Sequence, residues 1–252
     1  MTKEHVWPDC FLKPRKDITA RFSFKNKKVH GEDYVVKDVC DECNGIILSD
    51  LDSYFCELHD LYFSKIVGPT DEVFFEFDFD RLSRVLLKIA YNSSRGGITD
   101  PAVLASTAPF IIGKESSPNG LIVLLEIVSS ATVLAINDKE ITHKEIPPLA
   151  YRSALTKLLT PNGNKVLSRL VAVNSYYFYL FIPNQRLTDT EIKSIRKEAL
   201  GTLRGAVCLN GKRHVKIVMS RKDDIGTLIP QIISGLNQYK EFFSKEKTKK
   251  SN

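Results

Sequence analysis

Two segments decide how the fold and the chemistry of this chain are interpreted: Lys3-Glu4-His5-Val6-Trp7-Pro8, and Asp38-Val39-Cys40-Asp41-Glu42-Cys43-Asn44 some thirty residues later. The first segment places a carboxylate directly beside a histidine. The second is a Cys-x-x-Cys that runs straight into an asparagine. These residue types bind metal ions and activate water. The rest of the chain contains no comparable cluster, so the functional interpretation begins with these residues.

The residues between and after the two segments predict two strands and a helix. Residues 21–25 and 34–36 alternate between polar and apolar, and residues 26–31 are suited to turn the chain. This pattern predicts a β-hairpin or a pair of short strands. Apolar residues then recur at steps of three and four through residues 48–62, the pattern of an amphipathic helix. Gly68-Pro69-Thr70 is expected to end the unit.

The remainder of the chain predicts strands and helices in clusters rather than in strict alternation, which is typical of the α+β class. A helix is expected to begin at Asp78 or Asp80 and to stop at residues 96–97. A capping-box pattern at residues 188–191 predicts another helix start, and Asn210-Gly211 predicts a hairpin turn between residues 207–209 and 215–218. Three further elements are predicted: one or two buried strands in 121–136, a strand over 171–182, and a final helix over 228–245.

Composition limits the broad class of the protein. The chain has 252 residues and 43% hydrophobic content, enough to bury a sizeable core. No run approaches 18 consecutive apolar residues, so no membrane span is predicted. The polar N-terminus lacks the apolar core of a secretory signal. Five cysteines with one close pair do not predict a disulfide framework, and the cytoplasm is the expected compartment.

Positive charge is concentrated near both ends of the chain. The formal net charge is +6, and residues 1–37 carry nine Lys or Arg against five acidic residues. Basic segments suit contact with a phosphate backbone, although solvated lysines that aid solubility explain the C-terminal tail equally well. Four more basic residues recur along one side of a predicted helix, where they either grip nucleic acid or form a solvated face: Arg81, Arg84, Lys88 and Arg95.

Cys40 and Cys43 have the spacing with which two thiolates meet one tetrahedral zinc ion. A closed structural zinc site needs four ligands, and the nearby extra ligands (Cys10, Cys56, His30 and His59) have no paired spacing. Thioredoxin-like redox chemistry is a rival use of a Cys-x-x-Cys motif. The residues Asp41-Glu42 between the two sulfurs disfavour thiolates and count against that use.

Taken together, Glu4-His5-Val6-x-Pro8 and Cys40-x-x-Cys43-Asn44 resemble the motif of HNH, or ββα-metal, nucleases, in a divergent bacterial branch. The resemblance covers about residues 3–55. It implies an N-terminal ββα-metal (HNH-like) module over residues 1–67, followed by a mixed α/β domain over residues 70–252 that recognises a target or partner. In the family a central asparagine orients the histidine, and the corresponding position here falls near Tyr34 or Val35.

The resemblance also implies roles for individual residues. His5 would be the general base of phosphodiester hydrolysis, and Glu4 and Asn44 would hold a catalytic Mg or Mn ion. Cys40 and Cys43 would supply half of a structural zinc site. The expected partner is nucleic acid, expected to be DNA, whose phosphates would be contacted by basic residues of this region: Lys3, Lys13, Arg15, Lys16 and Lys37.

Two alternatives stay open. The chain could be a catalytically decayed HNH-like protein that binds nucleic acid or another partner. It could also be an unrelated enzyme whose site lies beyond residue 70.

Overall fold

The structure is a computed structural model that describes residues 1–12, 21–23, 28–30, 35–95, 101–137, 140–148, 151–203, 205–217 and 221–222. Its fold class is α+β, as predicted. The strands are β1 Thr2–His5, β2 Arg21–Ser23, β3 Lys28–His30, β4 Val35–Val39, β5 Val73–Glu76, β6 Ile122–Ser129, β7 Ala131–Asn137, β8 Glu140–Ile146, β9 Tyr151–Thr156, β10 Val166–Val173, β11 Tyr176–Pro183, β12 Val207–Cys208, β13 His214–Ile217 and β14 Arg221–Lys222. The helices are α1 Asp9–Leu12, α2 Ser49–Leu58, α3 Phe79–Ser94, α4 Pro101–Ala105, α5 Ala108–Ile111 and α6 Asp189–Thr202.

The N-terminal region pairs two strands that lie far apart in sequence. β1 runs antiparallel to β4, whereas β2 pairs with β3 in a separate short hairpin. A strand over the predicted 34–36 segment is therefore present, but its partner is β1 rather than the segment at 21–25. The predicted helix over 48–62 is confirmed as α2, with π-helical turns before it (Cys43–Leu48) and after it (His59–Phe63).

Helix α3 begins where the sequence predicts. The Asp78 side chain accepts a hydrogen bond from the backbone N–H of Arg81 at 3.1 Å, which satisfies one of the free donors at the helix start. The apolar positions along one side of the helix are fully buried: Leu82, Val85, Leu86 and Ile89. The helix ends at Ser94, and its predicted stop at residues 96–97 lies outside the described residues.

The largest sheet has the strand order β12-β6-β11-β10-β9, all antiparallel, and β14 pairs in parallel with β6. The predicted strand over 171–182 is in fact two strands, because Asn174 turns the chain between β10 and β11 with a φ of 47°. Asparagine tolerates this left-handed conformation better than most residues. Buried side chains line both faces of the sheet, which explains its continuous apolar runs.

The predicted hairpin at Asn210-Gly211 is wrong in its pairing. The turn is present, with Gly211 at a φ of 71°, but β12 pairs with β6 and β13 pairs with β5. The Asn210 side chain explains the divergence, since it accepts from Val123 N–H at 2.9 Å and donates to the Leu121 carbonyl at 2.8 Å. It thereby anchors this segment to β6.

The sequence also predicts two helices in the last third of the chain. The capping box at Thr188 and Glu191 is confirmed at the start of α6. The predicted helix over 228–245 lies outside the described residues.

Buried side chains from before and after the predicted boundary at residues 67–70 belong to one hydrophobic cluster. Trp7 lies against Tyr151 with 5.3 Å between ring centroids, and Phe11 lies 5.4 Å from Phe55. The backbone N–H of Val67 donates to the Ser175 hydroxyl at 2.8 Å. The first residues of the chain are therefore packed against the central sheet, and the division into two domains stays a prediction.

Cys10 and Cys56 form a disulfide that joins α1 to α2. This pairing corrects the expectation drawn from cysteine count and spacing, because the two residues are 46 positions apart and meet only in the folded chain. Disulfides persist mainly in oxidising compartments, so the pair lends no support to the cytoplasmic location, which stays a prediction. Within the described ranges no helix is long and apolar enough to cross a membrane.

Replacing Cys10 and Cys56 together by serine is expected to lower the free energy of unfolding by about 4 kcal/mol, because the disulfide closes a long loop and restricts the unfolded chain. Urea unfolding of the double variant and the parent measures this difference. Cys208→Ser is the matched control, since Cys208 is a free thiol. Equal stability of the double variant and the parent would contradict the stabilising role of this cross-link.

Candidate functional site

The two halves of the sequence motif meet where the helical segment after Cys40 contacts β1. The Asn44 side-chain amide donates to the Thr2 hydroxyl at 2.9 Å and to the Lys3 carbonyl at 3.0 Å. The Thr2 hydroxyl in turn donates to the Val39 carbonyl of β4 at 3.3 Å. Strand β1, strand β4 and the start of the helix are therefore joined by side-chain bonds as well as by backbone pairing.

Glu4 and His5 are neighbours in β1, and consecutive strand residues project toward opposite faces. Glu4 is buried, whereas His5 is partly exposed. The His5 Nδ1 atom is buried and has no hydrogen-bond partner among the residues that the structure describes. The register places Val35 opposite His5, at the position expected for an orienting asparagine, and valine has no side-chain group to bond the ring.

Lys88 of α3 lies at the centre of a buried charge cluster. Its ammonium contacts Glu4 Oε1 and donates to Asp52 Oδ1 at 2.5 Å, and its side chain is only 1% exposed. Burial raises the pKa of the Glu4 carboxyl and that of the Asp52 carboxyl, and the positive charge of Lys88 opposes both shifts. His5 and Asp9 also act electrostatically on Asp52. Ionisable groups from β1, α1, α2 and α3 therefore converge here.

The basic row along α3 does not form a free phosphate-binding face. Arg81 pairs with Asp50 of α2 at 3.0 Å, and Arg84 donates from Nε to the Ile111 carbonyl at 3.0 Å. Arg95 forms an ion pair with Asp38 of β4. Together with Lys88, these side chains attach α3 to the elements around it, which supports neither of the two alternatives, nucleic-acid contact or a solvated face.

Lys88 and Asp52 are the residues of this site that the sequence interpretation did not assign to it. Both carry a sequence signal. Lys88 stands directly beside Ile89 and three positions after Val85, within the apolar side of α3, and Asp52 follows the buried Leu51. A charged residue within an apolar stripe points to a buried partner of opposite charge, although the identity of that partner is not visible in sequence.

The catalytic metal site expected at Glu4 and Asn44 stays a prediction. The described residues contain no group of three or more His, Cys, Asp or Glu side chains arranged to hold a metal ion. The Glu4 carboxylate contacts the Lys88 ammonium, which counts against its role as a metal ligand. Asn44 bonds through its amide nitrogen, and these bonds do not use its carbonyl oxygen.

The Cys-x-x-Cys motif lies at the surface at the start of the helical segment. Cys43 donates from its backbone N–H to Cys40 Sγ at 3.1 Å. A side-chain hydrogen bond between the two thiols lowers the pKa of Cys40 and raises that of Cys43. Cys10 and Cys56 are consumed in the disulfide and are not available to complete a zinc site. The structural zinc stays a prediction supported by two ligands.

The predicted phosphate-contacting residues fall into two groups. Lys3 of β1 and Lys37 of β4 are exposed on the paired strands. Lys13, Arg15 and Lys16 lie outside the described residues.

No protein-family model, no curated protein and no solved structure matches the chain. The function of the site is therefore inferred from its own residues and contacts.

The raised pKa values of Glu4 and Asp52 predict a pH-dependent stability. Above the ordinary values of 4.5 for Glu and 3.8 for Asp, the folded protein holds more protons than the unfolded chain. The free energy of unfolding is therefore expected to fall as pH rises from those values through the raised ones. Glu4→Gln removes one of these carboxyls and is expected to make the fall shallower, as measured by urea unfolding at a series of pH values.

Glu191→Gln is the matched control for this experiment. The hydrogen bond from Thr188 N–H lowers the pKa of Glu191 to about 2, so its contribution is present above 4.5 and is lost as pH falls toward 2. The two variants thus act in different pH windows. An unchanged slope above pH 4.5 in Glu4→Gln would contradict the buried location of this carboxyl.

Proposed function

We propose that this protein is an HNH-type endonuclease that hydrolyses phosphodiester bonds in DNA, with His5 as the general base. The observation that carries the proposal is the pair of bonds from the Asn44 amide to Thr2 and Lys3. They join the Glu-His strand to the helix start that follows the Cys-x-x-Cys. The paired strands β1 and β4 and the helical segment after β4 supply two strands and a helix, with α1, β2 and β3 between the two strands in the chain. This set of elements supports the resemblance seen in the sequence.

The chemistry assigned to His5 follows from its type and its position. Attack on a phosphodiester requires a water molecule to lose a proton, and an imidazole is suited to accept a proton near neutral pH. His5 is partly exposed at the end of β1, so water can reach its side chain. Lys3 and Lys37 are exposed on β1 and β4 and supply positive charge for the phosphate backbone.

A requirement for Mg or Mn belongs to the proposal as an expectation from the family resemblance. Because Glu4 contacts Lys88, we assign it no metal-binding role and derive no reaction step through a metal ion. The dependence of cleavage on added Mg or Mn decides this part of the proposal.

The second candidate function is a catalytically decayed HNH-like protein that binds nucleic acid or another partner. Two observations favour it. The Lys88 ammonium contacts the Glu4 carboxylate. Within the described residues, His5 Nδ1 has no hydrogen-bond partner that would orient the ring. This candidate predicts DNA retention without cleavage.

His5→Ala is expected to lower the rate of plasmid cleavage in Mg or Mn by about 10²- to 10⁴-fold, the usual contribution of a general base. Retention of the plasmid in a mobility-shift assay is expected to stay close to that of the parent, because the exposed Lys3 and Lys37 are kept. Cleavage is measured by conversion of supercoiled plasmid to nicked and linear forms.

His214→Ala is the matched control, since His214 is an exposed histidine on β13, far along the chain from the motif. Cleavage by His5→Ala at the parental rate would show that another group is the base. A parent protein that retains DNA but does not cleave it in either metal would favour the decayed scaffold.

A further inference from the structure

Lys88 is a buried cation that the resemblance to HNH nucleases does not include, because it lies in α3, beyond residues 3–55. Its side chain is 1% exposed, and the two carboxylates that it contacts are 6% exposed in Glu4 and 24% exposed in Asp52. A buried ammonium is costly unless charged partners surround it. The cluster is therefore a built arrangement in which one cation joins two acidic residues.

The two acidic residues belong to the two elements that carry the candidate site. Glu4 directly precedes His5 in β1. Asp52 lies in α2, eight residues after Asn44 in the same helical segment. Lys88 thus bonds the strand that carries His5 and the helix that carries Asn44 to one point on α3. Movement of either element away from the other would separate opposite charges in a poorly solvated environment.

We propose that Lys88 is a positioning residue of this site, which holds the strand that carries His5 (β1) against α2. The proposal rests on the proposed function only where cleavage is the readout. The mutual placement of Lys88, Glu4 and Asp52 does not depend on it. The residue that completes the site is therefore a buried lysine of α3, outside the motif of residues 3–55.

The test uses the full chain with Lys88→Met, which keeps an unbranched side chain and removes the charge. Cleavage at neutral pH is expected to fall on the order of a hundredfold, as for a displaced catalytic group. The loss is expected in kcat rather than in KM, because Lys3 and Lys37 remain to bind the substrate. Lys88→Arg is expected to recover part of the rate, because it restores positive charge between Glu4 and Asp52. Lys197→Met, an exposed lysine on α6, is the charge-matched control and is expected to match the parent.

Asp52→Asn tests the α2 side of the cluster, because it leaves the Lys88–Glu4 contact in place. Its kcat is expected to fall in the same direction as that of Lys88→Met. A parental kcat in folded Lys88→Met would overturn the positioning role of Lys88.

A readout independent of cleavage keeps this proposal distinct from the proposed function. The backbone amides of β1 are expected to exchange hydrogen faster in Lys88→Met than in the parent, because the strand loses its attachment to α3, whereas those of α6 are expected to exchange at the parental rate. Asp52→Asn serves if Lys88→Met does not fold, and faster exchange is then expected in α2. Unchanged exchange in β1 and α2 of the folded variants overturns the proposal, whereas variants that show faster exchange from a parent that does not cleave DNA overturn the nuclease alone.

Discussion

The structure around the candidate site depends on keeping the ammonium of Lys88 charged in a place that water hardly reaches. That is possible because Glu4 and Asp52 approach it from β1 and α2. Breaking such a buried pair by removing one partner costs about 3–5 kcal/mol in proteins generally, since the remaining charge stays buried. Three elements from separate parts of the sequence are thereby held to one geometry, and none of them can shift without exposing or unpairing a charge.

The other attachments of α3 follow the same principle. Arg81 pairs with Asp50, and Arg95 pairs with Asp38, so α3 is bonded to α2 and to β4. On the opposite side, the apolar face of α3 belongs to the cluster that covers the central sheet. The candidate site therefore lies between the motif-bearing strands and a helix outside the motif, and its geometry depends on both.

Elements whose signals are local were predicted correctly. The apolar steps of α2 and α3, the Asp78 cap and the Thr188–Glu191 capping box all depend on residues within a few positions of one another. Pairing between strands was predicted less well. Residues 207–209 and 215–218 flank a turn, yet β12 pairs with β6 and β13 pairs with β5. Backbone N–H and C=O groups are the same in every strand, so the tertiary packing decides which strands pair. The disulfide of Cys10 with Cys56 was not predicted, because its two cysteines are 46 positions apart and meet only in the folded chain.

For the candidate site, the sequence singled out His5, Asn44 and the Cys-x-x-Cys because their types and spacing are unusual together, and their roles stay a prediction. Only the tertiary structure decided that Glu4 contacts Lys88, since a strand residue's face is set by the register with β4. It also decided that Lys88 is a buried ion-pair partner rather than a phosphate-contacting residue. A lysine has the same local pattern in either role, and burial depends on contacts between residues as far apart in sequence as Glu4 and Lys88.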